Sequence, residues 1–275
     1  MKLLIVTPTL GRSIHLKDTL ASIERLTCDF LYVIVGPEHA SGVVAAVLSA
    51  SMIPSNNWIY VNESQNCGGL YPAINHAINS VTDFNWDYFT YINDDDILGA
   101  DFDLSIKTLS SLQQPSFCYG NVILINENGE KLSSVTLESN PLNFLPLLKQ
   151  GISPLNQQGM LVPRIIWNKL ASFETKYRLC ADLDFWLRAY IDGFPFHYNN
   201  LEVGGFRVRS GQLSGDTAKM TAEINCVFDN LVKNQFSPVV LFFSRWSFRV
   251  KNFSIYFFRL ISGVNLRGMS ILNTK

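Results

Sequence analysis

Short, almost wholly apolar runs alternate along the first half of the chain with longer stretches whose apolar positions recur every three or four residues. The runs fall at residues 3–7, 30–35, 58–61 and 88–92, and helical periodicity occupies 13–26, 42–50 and 71–81 between them. Runs of this kind suit strands inside a sheet, and their alternation with helices predicts an α/β fold. The expected architecture is a mostly parallel, Rossmann-like sheet flanked by helices. After a helix near 101–112 the pattern loosens. Residues 117–125 read as a strand, and Asn126-Glu127-Asn128-Gly129-Glu130 has hairpin-turn chemistry. Residues 136–155 hold three prolines and no clean period, so loops with a short helix are expected there. A strand at 160–162, a helix near 164–171 and a helix opening at Asp182 follow.

The run at 88–92 ends in a block of acid, Asn93-Asp94-Asp95-Asp96. Parallel sheets bind ligands at the carboxyl ends of their strands, so this block and Thr7-Pro8-Thr9-Leu10-Gly11-Arg12 belong on one rim. Three crowded carboxylates repel one another unless a cation or solvent relieves them. Mg²⁺ and Mn²⁺ take such oxygen ligands and share them with substrate phosphates. A solvated turn that caps the next helix is the competing reading.

Composition narrows the class. With 275 residues, 47% hydrophobic and 16% charged, the chain can fill a large core, and no apolar stretch reaches the roughly 18–20 residues of a membrane span. The first residues are expected to form a central strand rather than a signal peptide. Cys28, Cys67, Cys118, Cys180 and Cys226 are scattered without a CxxC pair, which argues for free buried thiols and a cytoplasmic location. Net charge is −1, yet Lys233, Arg245, Arg249, Lys251, Arg259, Arg267 and Lys275 follow Asp229 with no acid among them. Residues 231–275 are therefore expected to form a basic, aromatic helical C-terminal extension on a body of residues 1–230. Such a helix can lie in the headgroup layer of a membrane. It can equally dock on the core with its arginines in water.

Four segments, in order, resemble the family 2 glycosyltransferases of the GT-A fold, among them bacterial surface-polysaccharide enzymes. They are Leu4–Arg12, like the nucleotide-holding first strand and loop; Cys67–Ala77, like a glycine-led helix with Ala and Asn at this spacing; Tyr91–Leu98, like the DxD segment; and Cys180–Arg188, like the acidic motif with its Trp-Leu-Arg. Gly205–Ser214 is a weaker fifth match. The resemblance covers residues 1 to about 215 and implies inverting transfer of a sugar from a nucleotide-diphosphate donor. The acceptor would be a glycan hydroxyl, lipid-linked at the cytoplasmic membrane face, in polysaccharide or O-antigen assembly; nucleic acid is not an expected partner.

The resemblance makes Asp182 the catalytic base and Asp95, with Asp96, the ligands of Mn²⁺ or Mg²⁺. It gives the nucleotide sugar to Thr7, Thr9, Arg12, Gly68, Gly69, Asn75 and Asp94; Glu38 is the candidate substitute for the family's base-recognising acid, and the chemistry of Arg207 and Arg209 suits them to the diphosphate. The residues themselves add one argument: Asp184 has Arg188 four positions on, whereas Asp182 has Trp186 there and no charge partner. An N-cap role for Asp182 is the bland alternative. Two departures stand out. Where many relatives carry a base-recognising Asp, the chain reads Val35-Gly36-Pro37-Glu38. Where relatives often end the fifth motif in His, Arg209 stands, and arginine cannot ligate a cation. Two rivals remain on the sequence. A metal-dependent nucleotidyltransferase would need a glycine-rich, lysine-bearing phosphate loop, for which Thr9–Arg12 is a poor substitute. The other is a non-catalytic, membrane-associated scaffold with the same fold, favoured by the two departures.

Overall fold

A computed structural model describes residues 1–63, 68–209, 212, 216–233 and 235–262. Cys67, the end of the fifth motif (210, 211, 213, 214), Arg267 and Lys275 lie outside the described residues. Strands β1 (Lys2–Pro8), β2 (Asp29–Gly36), β3 (Trp58–Asn62) and β4 (Tyr88–Tyr91) run parallel in the order β3-β2-β1-β4. Alternate side chains feed two cores because both faces are covered. Leu4, Val6, Val33 and Val35 pack against α3 (Leu70–Ser80), while Leu3, Ile5, Tyr32 and Ile34 pack against α1 (Leu16–Ile23) and α2 (Ser41–Ser49).

The helix expected from residue 13 starts at Leu16. The Ser13 hydroxyl donates to the Asp94 carbonyl at 2.7 Å and accepts from His15 N–H at 3.2 Å, which holds residues 10–15 as a rim loop. Next come β5 (Ile97–Leu98), α4 (Phe102–Thr108), and the hairpin of β6 (Phe117–Ile125) and β7 (Lys131–Val135). Asn126 Oδ1 closes its turn by accepting from Asn128 and Glu130 N–H. After α5 (Phe144–Leu148), β8 (Val162–Pro163) adds antiparallel to β4, followed by α6 (Arg164–Leu170) and α7 (Ala181–Ile191).

The pattern of the sequence does not predict β9 (Phe196–Arg207), the longest strand. Its Asn199, Asn200, Gly204 and Gly205 break the alternation, yet it joins a second sheet of order β5-β9-β6-β7. The glycines are there for closeness: a Cβ on Gly204 would sit 2.4 Å from the Gln158 carbonyl. Helices α8 (Thr217–Leu231), α9 (Pro238–Lys251) and α10 (Phe253–Ser262) are the last described elements. The helical extension expected over 231–275 thus contains two helices among the described residues, α9 and α10. They break at buried Asn252, whose amide accepts from Thr136 N–H at 2.8 Å and donates to its carbonyl at 2.9 Å. Gln150 bonds the Leu241 carbonyl, Lys251 pairs with buried Glu138 at 3.0 Å, and Phe248 and Ile255 enter the main core.

Candidate active site

The carboxyl ends of β1 and β4 open into a cleft of about 1020 Å³, walled by Thr9–Arg12, the acid turn, the start of α3, residues 153–158 and the start of α7. A second cavity, about 900 Å³, lies at the opposite ends of these strands beside Trp86, Asp103 and Arg164, away from the acids.

The three carboxylates of the acid turn diverge. Asp94 and Asp95 line the cleft. Asp94 Oδ2 accepts from the Thr9 hydroxyl at 2.5 Å, and burial followed by the Asp95 charge pushes its carboxyl up despite that bond. Asp95 Oδ2 meets Arg209 Nε at 2.6 Å. Asp96 points inward and is 1% exposed; it accepts from Arg207 N–H at 2.9 Å, Gln158 Nε2 at 2.7 Å and Asn93 Nδ2 at 3.1 Å. Burial and the neighbouring Asp95 raise its carboxyl to about 7.

Asp182 stands on the first turn of α7, and two tyrosines grip it. Tyr71, at the start of α3, donates to Oδ1 at 2.9 Å, and Tyr91, the last residue of β4, donates to Oδ2 at 2.9 Å. Leu183 N–H adds a third bond at 2.8 Å. The residue at the N-cap of α7 is Cys180, so Asp182 is not the cap. Burial drives the Asp182 carboxyl above its ordinary range, and the tyrosine bonds oppose that rise. Asp184 pairs with Arg188 at 2.8 Å and faces away from the cleft residues.

No protein-family model matches the sequence, and no curated protein sequence is significantly similar to it. Solved structures share its fold. Residues 1–349 of S. aureus TarS, in complex with UDP-GlcNAc, superpose with a TM-score of 0.61 at 14% identity over 93% of this chain and 76% of that one. The mannosyltransferase PcManGT of Pyrobaculum calidifontis, solved with GDP-Man and Mn²⁺, gives 0.59 at 14% identity over 98% and 78%. A longer TarS chain gives 0.58 at 12% identity over 92% of this chain, which spans only 44% of it. The chain has the GT-A glycosyltransferase fold. Identity this low speaks to architecture, so the roles of side chains rest on geometry.

Within this GT-A cleft the structure gathers Thr9, Arg12, Gly69, Asp94, Asp95, Asp182 and Arg209. Other expected site residues sit elsewhere. Thr7 is fully buried on the α1 side of β1. Glu38 is exposed beyond the rim, and part-buried Glu63, after β3, lines the cleft in its place with a carboxyl raised by burial. Gly68 is exposed outside the lining. Asn75 spends its amide on the Phe173 backbone, at 2.8 and 3.2 Å.

Arg207 departs most from expectation. It is 0% exposed, and its guanidinium donates to the carbonyls of Asp95 (2.7 Å), Asn126 (3.0 Å) and Glu127 (2.9 Å) and to Asp18 Oδ2 (2.7 Å). It is a rivet between the acid turn, the β6–β7 hairpin and α1, with nothing left to offer a phosphate.

Among the described residues no group of three or more His, Cys, Asp or Glu side chains forms a metal cage. The two cleft-facing carboxylates, Asp94 and Asp95, nevertheless fit a hard cation that takes its remaining oxygens from a bound diphosphate. Asp96 does not fit, because the protein already occupies both of its oxygens. Sequence reasoning missed Tyr71, Tyr91, Glu63 and Arg178 in the lining. The signal for the tyrosines was available: one closes a strand and the other opens a helix on the same rim.

Proposed function

We propose that the chain is an inverting glycosyltransferase that moves a sugar from a nucleotide diphosphate to a hydroxyl of a glycan acceptor. The observation that carries this reading is Asp182, a carboxylate gripped at both oxygens, sharing one cleft with Asp94, Asp95 and Arg209. The Asp182 carboxylate takes the acceptor O–H proton as that oxygen bonds to the anomeric carbon. The bond from that carbon to the phosphate oxygen breaks, and its electron pair leaves with the nucleoside diphosphate. One displacement inverts the centre.

Arg209, partly exposed and already on Asp95, is placed to share its guanidinium with the departing diphosphate. When bound, Mg²⁺ or Mn²⁺ held by Asp95 with Asp94 supplies further neutralisation of that charge. Thr9 and Arg12 line the nucleotide side, and Gly69, at φ 135°, lets the chain enter α3 close to the donor.

In this reading residues 1–230 form the catalytic body. The basic extension 231–275 brings it to a membrane face where a lipid-linked acceptor of polysaccharide or O-antigen assembly resides. No helix among the described residues is long and apolar enough to cross a membrane, and the contact proposed here is peripheral. Support comes from the outward side of α9 and α10, where Phe242, Phe243, Trp246, Phe253 and Phe257 are each more than half exposed.

The test is incubation with a panel of nucleotide-diphosphate sugars and Mn²⁺. Release of nucleoside diphosphate is the expected result. Formation of nucleoside triphosphate when pyrophosphate is added to the same panel would make the protein a nucleotidyltransferase, and silence in both assays would leave a scaffold.

A further inference from the structure

Residues 153–158 form the wall of the cleft between the acid turn and α7, and the wall is held rigidly. Gln158 Nε2 donates to Asp96 Oδ2 at 2.7 Å, and Ser153 Oγ donates to the Leu155 carbonyl at 2.7 Å. Glu138 N–H donates to the Pro154 carbonyl at 3.1 Å. Behind the wall, Gly159, at φ 78°, and Gly204 bring β9 into backbone contact: a Cβ on Gly159 would lie 2.3 Å from the Val203 carbonyl.

Against this fixed backing one side chain stands out. Gln157 is 7% exposed and lines the cleft, yet neither its Nε2 nor its Oε1 has a hydrogen-bond partner among the described residues. Asn156 Nδ2, beside it, is likewise buried and unpartnered; its Oδ1 accepts from Gln157 N–H at 2.9 Å, which sets the two amides in place. Buried amides are normally satisfied, and these two lack a partner where they line the cleft. Trp186, one turn beyond Asp182 on α7, lines the same cleft.

A primary carboxamide presents a donor and an acceptor side by side, the complement of two neighbouring hydroxyls on a pyranose ring. We infer that Gln157, seconded by Asn156, is the group that reads the hydroxyls of a sugar unit in this cleft and so sets which sugar the protein accepts. This rests on the transferase reading above. The same hydroxyl chemistry is offered by the donor sugar and by the acceptor, and the test separates the two.

Binding of UDP and GDP, and of their hexose and N-acetylhexosamine esters, is measured by calorimetry for the wild type, Gln157→Ala and the isosteric Gln157→Glu. Melting temperature serves as the control for folding. If the donor sugar is read, both variants bind the free nucleoside diphosphate as the wild type does. Both also lose the extra affinity that the sugar confers, by about 10- to 100-fold. If the acceptor is read, donor binding is intact and the acceptor KM rises by a similar factor at unchanged donor KM. Wild-type affinity and KM in both variants would overturn the inference alone. Failure of the wild type to bind any nucleoside diphosphate would instead overturn the transferase reading beneath it.

Discussion

Replacing Tyr91 with Phe removes one hydroxyl and keeps the ring. The ring packs edge-on against Phe173 at 5.8 Å and Tyr71 at 6.5 Å, so the core contacts survive. The lost bond is the 2.9 Å donation to Asp182 Oδ2, made to a carboxylate already pushed upward by burial. Hydrogen bonds to charged groups contribute about 1.5–3 kcal/mol, and one pKa unit corresponds to about 1.4 kcal/mol. The Asp182 carboxyl should therefore rise further. Asp182 acts only when ionised, and a higher pKa keeps it protonated to higher pH. The acid limb of the kcat/KM profile, followed by release of nucleoside diphosphate, should move to higher pH while activity on the alkaline plateau is largely retained. Tyr71→Phe should act in the same direction, but Tyr91 is the cleaner probe because Tyr71 also donates to the Leu179 carbonyl at 3.2 Å. An acid limb that stays in place, or moves to lower pH, in a variant with wild-type melting behaviour would refute the assignment of Asp182 as the titrating base.

The two arginines of the fifth motif should separate cleanly. Arg207→Leu leaves Asp18 and three carbonyls without their buried donor and should cost roughly 3–5 kcal/mol of stability by thermal or denaturant unfolding. Arg209→Ala should unfold much as the wild type does, yet bind nucleoside diphosphate about 10-fold or more weakly by calorimetry. Asn75→Ala should lower stability by about 1–2 kcal/mol, because the Phe173 backbone loses both partners, with donor KM unchanged. Replacing Phe242, Phe243 and Trp246 together by Ser should abolish co-sedimentation with vesicles rich in anionic lipid and spare transfer to a soluble acceptor. Equal sedimentation of variant and wild type would remove the membrane contact.

The parallel sheet was legible because its strands are short and apolar and its helices keep their period, so β1 to β4 and α1 to α3 fall within a few residues of expectation. β9 was not, because its glycines serve close backbone approach rather than alternation, and its partners β5 and β6 are distant in sequence. The tail break at Asn252 depends on a bond to Thr136, 116 residues away, which no local pattern contains. In the cleft, residue type and motif order located the acid turn and the α7 carboxylate, since both lie at element ends where chemistry is exposed. Direction was the hidden quantity. Adjacent acids diverge, so Asp94 and Asp95 face the cleft while Asp96 turns into the protein, and of two arginines two residues apart only Arg209 reaches the opening. Asn75 and Thr7 carry the right atoms but lie on faces that look into the core.

Whether Asp182 takes the acceptor proton in this cleft is decided by comparing wild type and Asp182→Asn for donor binding and for transfer in the same preparation. Donor affinity should stay within about two-fold, and the transfer rate should fall by about 10²–10⁴-fold, the usual contribution of a general base. Since burial raises the Asp182 carboxyl, its ionised form destabilises the fold once the pH exceeds the ordinary carboxylate range, and the neutral amide should leave the melting temperature at pH 7.5 at or above that of the wild type. Undiminished product from Asp182→Asn would show that another group takes the proton.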